Sequence, residues 1–451
     1  MSTPSADTIS ALMPELQADL ARLVAIPSIS APQYPAETHG VLAEAYDEVA
    51  RLFAGAGVTI LDPLVLPDTA PALIGEIPAP PGAPTVLLYS HYDVVPVGDE
   101  SKWESPPFEA TERDGAIYGR GTADTKSNIL MHVGALRAWE GRPPVGIKVV
   151  IEGMEEVGSA FSVYPPNQPE LFDADAMVIG DMGSFRPGVP TLTVALRGMA
   201  MVTVEARTLA GPKHSGQFGG AAPDALLALL HAIAALHDEH GDVAVPGLRR
   251  EPWGGASYSD EEFRELAEVE PGLPFMGTGG LGERLWTGPA LTVTGMDVLP
   301  VDRAVNAVVP YARAKLSLRV HPEQDPVEAQ ARLVERLEEL RPFGVSLTVD
   351  ANETGQGFAA ATSGPAYDAA SEALASAWGG ETVTFASGGS IPLVSALQQA
   401  VPRAEMLLLG TTDGFANIHA PNERVIIDEF EKATSAVAQF LGLYADAKGA
   451  S

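Results

Sequence analysis

The sequence contains no cysteine, and this absence excludes disulfide bonds, thiolate-bound metals and cysteine nucleophiles. Basic residues are also scarce: 28 Lys and Arg stand against 59 Asp and Glu, which gives a formal net charge of −31. This charge repels nucleic-acid phosphates and anionic membrane surfaces, so we expect neither as a partner. The sequence has no apolar run of about 18 residues, and no basic segment followed by an apolar run near its start. We therefore expect a cytoplasmic protein.

The 451 residues include 46% apolar residues, which is enough material for two or three packed units. Short apolar runs with strand character occur at residues 84–90, 146–152 and 175–181, and a helical pattern lies between the first two. The same alternation of strands and helices returns over residues 356–451. This pattern is typical of an α/β fold with a mostly parallel central sheet and helices on both faces.

A different pattern fills residues 198–355. Alternating apolar and polar residues predict strands at 201–208, 291–298 and 312–320, and an amphipathic pattern predicts a helix over 223–240. Strands with helices on one face indicate an α+β domain.

The chain is therefore predicted to contain a discontinuous α/β domain, formed by residues 1–197 and 356–451. The α+β domain, residues 198–355, is inserted into it.

Acidic and imidazole groups follow the three strands of the first segment. His91 and Asp93 follow the first strand, Glu155 and Glu156 the second, and Asp181 the third. Ligands of open α/β sheets bind beyond the carboxyl ends of the strands, so these side chains could converge there. Singly, each has an ordinary explanation as a core histidine, a turn former or a solvated charge. Together, carboxylates at one sheet edge repel one another unless a cation holds them.

The adjacent pair Glu155 and Glu156 needs its own explanation. Successive side chains of an extended chain point to opposite sides, so we expect the two carboxylates to reach one site in different ways.

Two further residues extend this set. Asp124 opens a predicted helix after a glycine-rich loop, where it is either a helix N-cap or a ligand. His419, in IHAPNERV, is either an exposed loop residue or a second imidazole ligand. Imidazole and carboxylate groups without a thiolate suit zinc, manganese or cobalt, and one imidazole per ion suits a two-metal hydrolytic site.

Seven motifs together resemble a known family. They are SHYDVVPV, DGAIYGRGTADTK, EGMEEVGS, GDM, KHSGQFGG, SGGSIP and IHAPNE, in this order. The chain resembles the M20 metallopeptidases over nearly its whole length, and their dipeptidase and carnosinase-like branch in particular. The resemblance implies two divalent ions, with zinc as the first choice and manganese or cobalt as alternatives. It implies that His91 and Asp181 bind one ion, that Glu156 and His419 bind the other, and that Asp124 bridges them.

The resemblance also implies catalytic roles. Asp93 would accept a hydrogen bond from His91 and fix its tautomer, and Glu155 would be the general base. His214, in KHSGQFGG, would reach into the site of the partner subunit and stabilise the oxyanion. The inserted domain would therefore act as a lid and would form a homodimer. From local sequence alone, the loop around His214 is an ordinary flexible turn.

The free carboxylate of a substrate needs cationic and N–H donors. By the resemblance Arg319 binds this carboxylate, since its planar fork suits bidentate pairing. Gly388, Gly389 and Ser390 precede a predicted helix, where free N–H groups favour an anion. The alternative for this turn is an ordinary glycine-rich helix start.

The chain departs from its apparent relatives at two places. Thr125 and Ser127 stand where many relatives have Asp and Gly, in the loop that carries Asp124. Ala307 stands where relatives often have Thr or Asn, so a substrate contact from the preceding Asn306 is not expected.

The predicted function is hydrolysis of the peptide bond of dipeptides or short peptides with a free C-terminal carboxylate. An N-acyl-amino-acid deacylase or another amidohydrolase of the same fold would share every metal residue. A non-catalytic metal-dependent binding protein is the remote alternative.

Overall fold

The computed structural model describes residues 3–389 and 391–449. The chain divides into two compact units. The first unit comprises Met1–Val194, Ala360–Phe385 and Leu393–Ser451, and the second comprises Ala195–Ala359 and Ala386–Pro392. Within the described residues, no helix has both the length and the apolar character needed to cross a membrane.

The secondary structure is as follows. The helices are α1 (Ala6–Val24), α2 (Ala36–Gly55), α3 (Ser127–Ala138), α4 (Pro169–Phe172), α5 (Ser215–Phe218), α6 (Ala225–Ala234), α7 (Asp260–Leu266), α8 (Pro326–Glu339), α9 (Pro365–Trp378), α10 (Pro392–Ala400) and α11 (Ile427–Ala447). The strands are β1 (Thr59–Ile60), β2 (Leu73–Ile77), β3 (Thr85–His91), β4 (Thr111–Arg113), β5 (Ala116–Tyr118), β6 (Gly146–Glu152), β7 (Ala176–Gly180), β8 (Gly183–Ser184), β9 (Thr191–Leu196), β10 (Gly198–Arg207), β11 (Lys213–His214), β12 (Ala290–Met296), β13 (Ala307–Val308), β14 (Tyr311–Val320), β15 (Leu347–Gly355), β16 (Phe358–Ala359), β17 (Val383–Ser387), β18 (Glu405–Leu409), β19 (Thr412–Asp413) and β20 (Arg424–Ile426).

The sheet of the first unit has the strand order β1, β2, β6, β3, β7, β18, β9. The four central strands β6, β3, β7 and β18 pair in parallel, whereas β1, β2 and β9 pair antiparallel with their neighbours. The central strands are apolar and almost wholly buried, as continuous apolar runs predict for parallel strands. The predicted α/β fold with a mostly parallel sheet is therefore confirmed.

The register of the parallel strands determines what meets at the sheet edge. His91 lies opposite Glu152, and Tyr89 lies opposite Ile179. Strands β3, β6 and β7 therefore end at almost the same level. The residues that follow them, on three separate loops, start from one edge of the sheet.

The second unit contains the antiparallel sheet β12, β14, β10, β15. Strands β10 and β14 alternate between buried and partly exposed residues over ten positions each. Their buried face packs with apolar residues of α6 and α8, such as Leu229 and Leu333. The α+β character predicted for the inserted segment is confirmed.

One helix of this unit is shorter than its sequence pattern. We predicted a helix over residues 223–240, but α6 ends at Ala234. The Asp238 side chain accepts hydrogen bonds from the backbone N–H groups of His240 and Asp242, at 2.9 and 3.0 Å. His237 also forms an isolated bridge with Val243. This local turn competes with the helix, as Asp side chains commonly do.

Candidate metal centre

Five predicted ligand residues meet at one edge of the first unit's sheet. His91 is the last residue of β3, and Asp181 directly follows β7. Glu156 lies in a short 3-10 helix, Glu155–Val157, which follows β6. Asp124 lies between β5 and α3, and His419 lies between β19 and β20.

Their side chains form two triads that share one carboxylate. In the first, Nε2 of His91 lies 3.1 Å from Oδ1 of Asp124 and 3.3 Å from Oδ1 of Asp181. In the second, Nε2 of His419 lies 2.9 Å from Oε2 of Glu156 and 3.1 Å from Oδ2 of Asp124. The ligand atoms within each triad all lie within 4.8 Å of one another. Asp124 therefore offers one oxygen to each triad, which is the geometry of a bridging ligand.

The alternative role for Asp124 does not hold. The N-cap position of α3 is occupied by Lys126, and among the described residues no side chain forms a capping hydrogen bond there. The carboxylate of Asp124 contacts the two imidazoles instead.

Asp93 contacts both His91 and the glutamate pair. Nδ1 of His91 lies 3.1 Å from the backbone oxygen of Asp93 and 3.4 Å from its Oδ1. The two carboxylate oxygens of Asp93 accept the backbone N–H groups of Glu155 at 3.1 Å and Glu156 at 3.2 Å. The imidazole is thus held mainly by a carbonyl oxygen, and the carboxylate holds the glutamate pair.

The explanation of this pair by an extended strand is wrong. Strand β6 ends at Glu152, and the two glutamates lie on a 3-10 turn whose N–H groups bind Asp93. The carboxylate of Glu156 belongs to the second triad, whereas Glu155 belongs to neither. Burial, together with the neighbouring Asp181, raises the pKa of Glu155 well above its usual value. Glu155 is therefore a partly buried carboxyl that lies beside the triads and belongs to neither.

The pKa values of the triad residues report an excess of negative charge. Hydrogen bonds to Asp124 and Glu156 raise the pKa of His419 to about 10. Burial opposes protonation of His91, but Asp181 and Asp124 outweigh it and raise its pKa well above 6.5. Burial and the charge of Asp124 raise the pKa of Glu156 to about 7. A site that binds protons this strongly also favours cations.

The donor set fits two divalent ions. Each triad combines one imidazole nitrogen with two carboxylates, one of which is shared, and these are the ligand types of zinc, manganese and cobalt. The residues present are thus chemically suited to a dinuclear centre.

Thr125, which stands where many apparent relatives have Asp, has a structural role. Its hydroxyl donates to the backbone oxygen of Gly180 at 3.1 Å and accepts from Nδ2 of Asn128 at 2.6 Å. The hydroxyl of Ser127 lies 2.6 Å from that of Thr411. Thr125 therefore ties the loop of Asp124 to the end of β7, directly before Asp181. No sequence signal indicated this link, because it joins residues that are distant in the chain.

The remaining predicted residues belong to the second unit. His214 is exposed at the start of α5, and its Nδ1 accepts the backbone N–H of Gly216 at 3.1 Å. Its Nε2 makes no hydrogen bond within the part of the chain that the structure describes.

Arg319 lies on β14, between Met199 of β10 and Ala290 of β12. Its Nη1 is buried and has no hydrogen-bond partner among residues 3–389 and 391–449, and burial lowers its pKa. Gly388 and Gly389 follow β17, whereas Ser390 lies outside the described residues. The substrate roles of these residues stay predictions.

Comparison with known proteins gives consistent results. The family model described as Peptidase family M20/M25/M40 matches residues 87–442. The chain is 42% identical to cysteinylglycine-S-conjugate dipeptidase of Corynebacterium striatum, over 84% of this chain and 85% of that protein. Among solved structures, human carnosine dipeptidase 1 matches with a TM-score of 0.78 and 25% identity, over 99% of this chain and 100% of that one. The dipeptidase Dug1p of Saccharomyces cerevisiae shares the fold, with a TM-score of 0.78 and 22% identity over 98% of both chains.

Proposed function

The chain belongs to the peptidase family M20/M25/M40, and from this premise we propose that it hydrolyses the peptide bond of dipeptides or short peptides with a free C-terminal carboxylate. One observation carries this proposal. Two ligand triads share Asp124, and the carboxyl of Glu155 lies beside them without joining either. A dinuclear hydrolase needs both features: ligands for two ions, and a separate group that moves protons.

We propose that His91 and Asp181 hold one divalent ion, that Glu156 and His419 hold the other, and that Asp124 bridges them. When bound, the two ions supply Lewis acidity that polarises a carbonyl group and lowers the pKa of water. Zinc is our first choice because imidazole and carboxylate ligands suit it, and manganese and cobalt are the alternatives. Elemental analysis of the purified protein identifies the metal.

Glu155 is the proposed general base. It takes a proton from the water that attacks the scissile carbonyl carbon, and it returns a proton to the amine nitrogen as the C–N bond breaks. Its raised pKa in the buried site would make it a poor base by itself. Two cations bound beside it would lower this pKa and favour the carboxylate form, which can accept a proton and later return it.

The adjacent glutamates offer a matched test of these roles. Glu155→Gln should keep both ions and reduce kcat by about 100- to 10,000-fold, the usual contribution of a general base. Glu156→Gln should lose one ion. Metal content and dipeptide turnover of both variants are measured in parallel. If Glu155→Gln retained near-normal turnover, Glu155 would not be the base.

The substrate class requires its own experiment. We propose a dipeptide panel with zinc, manganese or cobalt supplied, next to N-acetyl amino acids as substrates of the rival deacylase. Faster turnover of the N-acetyl compounds would favour the deacylase. Absence of dipeptide hydrolysis with every metal would contradict the proposal, and metal binding without any turnover would favour the non-catalytic alternative.

Arg319 is the proposed anchor for the substrate carboxylate, together with the turn at Gly388 and Gly389. The supporting observation is the buried Nη1 of Arg319, which lacks a hydrogen-bond partner in the described chain. A bidentate carboxylate would satisfy this donor. Arg319→Met should raise KM for a dipeptide and leave KM for the corresponding dipeptide amide almost unchanged. An equal effect on both substrates would exclude this role.

We further propose a homodimer formed through the second unit. The loop after β12 exposes a series of apolar side chains, including Val298, Leu299, Val301 and Val305, and Val301 is 94% exposed. Val298, Leu299 and Val305 line an apolar groove of about 620 Å³, which Tyr311 also lines. Exposed apolar surface of this kind is typical of protein contacts. The same region carries His214, because β11 pairs with β13 directly after this loop.

The role of His214 in the partner's site is tested with mixed dimers. Chains carrying Glu155→Gln or His214→Ala are given different tags, and the mixed dimers are purified. If His214 acts across the dimer, each mixed dimer has one intact site and about half the activity of the unmodified dimer. If His214 acts within its own chain, both sites are defective and activity stays absent. The cytoplasmic location remains a prediction from the sequence.

A further inference from the structure

Glu423 lies in the IHAPNE motif, and its buried carboxylate binds the loop that carries Asp124. Its Oε2 accepts the backbone N–H of Gly121 at 3.1 Å and Nη1 of Arg120 at 2.5 Å. Its Oε1 accepts the backbone N–H groups of Ala123 at 2.9 Å and Asp124 at 3.0 Å. Four donors from one short segment therefore converge on a single carboxylate.

The charges of Glu423 and Arg120 compensate each other. The side chains of both Glu423 and Arg120 are at most 1% exposed, so either charge alone would be costly to bury. Paired with each other, and with the backbone donors, the two charges compensate one another, although Nε of Arg120 has no hydrogen-bond partner among the described residues. Arg120 also donates to the backbone oxygen of Pro96 at 3.3 Å. None of these contacts uses a carboxylate oxygen of Asp124, which leaves both of its oxygens for the two triads.

The loop needs such a support because its own backbone is irregular. Asp124 and Thr125 have non-helical backbone angles, although α3 begins soon after them, at Ser127. Gly121 has a positive φ of 84°, and a Cβ atom there would lie 2.7 Å from Cγ1 of Val94. The amides of this segment therefore cannot be satisfied by a regular helix or strand, and the carboxylate of Glu423 satisfies them.

We propose that Glu423 is a positioning residue that fixes the bridging carboxylate of Asp124. Glu423 follows His419 by four residues, so it also couples the loop of His419 to the loop of Asp124, and both loops supply ligands to the second triad. Arg120 provides the positive charge that compensates the carboxylate of Glu423. The proposal rests on the proposed function only in taking Asp124 as a ligand of both ions.

Glu423→Gln is the main test. A glutamine has the same size, but its NH₂ group faces backbone N–H donors and its neutral amide leaves Arg120 without a countercharge. We expect the affinity for both ions to fall by about 10- to 100-fold, the usual cost of losing a group that orients a ligand. Titration calorimetry of the metal-free protein with zinc or manganese measures this directly and does not depend on any substrate.

Glu405→Gln is the matched control. Oε2 of Glu405 accepts the backbone N–H groups of Ala366 at 3.0 Å and Tyr367 at 3.1 Å, in the same unit but on the helix α9. This variant should lower the melting temperature and leave metal affinity unchanged. If Glu423→Gln lowered the melting temperature likewise but bound both ions with normal affinity, the role of Glu423 would be purely structural and the proposal would fail.

Hydrogen exchange of the unmodified chain tests the proposal even if Glu423→Gln does not fold. If Glu423 positions the loop, the amides of Gly121, Ala123 and Asp124 exchange slowly both with and without metal. Rapid exchange that becomes slow only after metal is added would mean that the ions order the loop, and it would overturn the proposal. Because both readouts are independent of peptide turnover, a failure of the proposed dipeptidase activity is distinguishable from a failure here.

Discussion

Metal binding by this centre should release protons, and the number can be estimated from the structure. Hydrogen bonds to Asp124 and Glu156 raise the pKa of His419 to about 10, and Asp181 and Asp124 raise that of His91 well above 6.5. His419 is therefore mainly protonated in the metal-free protein at pH 7. An imidazole must be neutral to bind a metal, so the ion that binds His419 displaces at least one proton.

The displaced protons determine how the metal affinity depends on pH. Because protons compete with the ions, metal affinity rises with pH, by about tenfold per pH unit for each proton displaced. His419 alone should therefore give about a hundredfold gain in affinity for its ion between pH 6 and 8. Glu156, whose pKa is raised to about 7, adds to this dependence below pH 7.

Calorimetric titration with manganese measures the proton release when it is repeated in buffers of different ionisation enthalpy. We expect at least one proton per two ions at pH 7, from His419. His419→Gln has no titrating group at this position, and it should release about one proton fewer. Release of less than one proton for both ions together, or an affinity that is independent of pH between 6 and 8, would refute the electrostatic account of the site.

Three further predictions concern single residues. Glu156→Gln should reduce the metal content from two ions to about one, whereas Asp124→Asn should lose both, since only Asp124 belongs to both triads; elemental analysis distinguishes these results. Burial lowers the pKa of His132 to about 4, so the unfolded chain, titrating near 6.5, binds more protons between these values, and stability should fall by about 3 kcal/mol as the pH drops from 6.5 to 4. His132→Gln should remove this dependence in urea denaturation series, and an unchanged pH profile would contradict it. Gly121→Ala should cost about 2 to 5 kcal/mol in the same assay, from the positive φ and the contact with Val94, whereas Gly82→Ala, with a positive φ but open space around it, should cost only about 1 to 2 kcal/mol.

The sequence predicted the framework of the site well because that framework depends on local patterns. The run at residues 146–152 coincides with β6, and the apolar strands could be read as parallel from their alternation with helices. Parallel strands end at one edge of a sheet, which is why His91 and Asp181 could be expected to meet. Local sequence left Asp124 and His419 with two explanations each, and the family resemblance then favoured both as ligands.

The supporting contacts could not be predicted in the same way. Glu423 binds the N–H group of Asp124 across 299 positions of the chain, and Thr125 reaches the backbone of Gly180 across 55. Such contacts depend on how loops from different strands meet, and the periodicity of apolar residues does not indicate which loops meet. The short segment Ala386–Pro392 belongs to the second unit, and its composition did not indicate this assignment.

The different placement of the Glu155 and Glu156 carboxylates follows from the backbone that carries them. Both N–H groups bind the carboxylate of Asp93, and the backbone oxygen of Asp93 contacts Nδ1 of His91. One residue therefore fixes the orientation of a ligand of the first triad and the turn that presents both glutamates. Because the turn is anchored through its amides, the two carboxylates stay available, and they leave adjacent positions of a 3-10 helix in different directions. The carboxylate of Glu156 reaches His419, and that of Glu155 stays partly buried next to Asp181 without joining either triad. The different placement of the two carboxylates, one within a triad and one outside both, is therefore a property of the fold, established by hydrogen bonds that involve no metal.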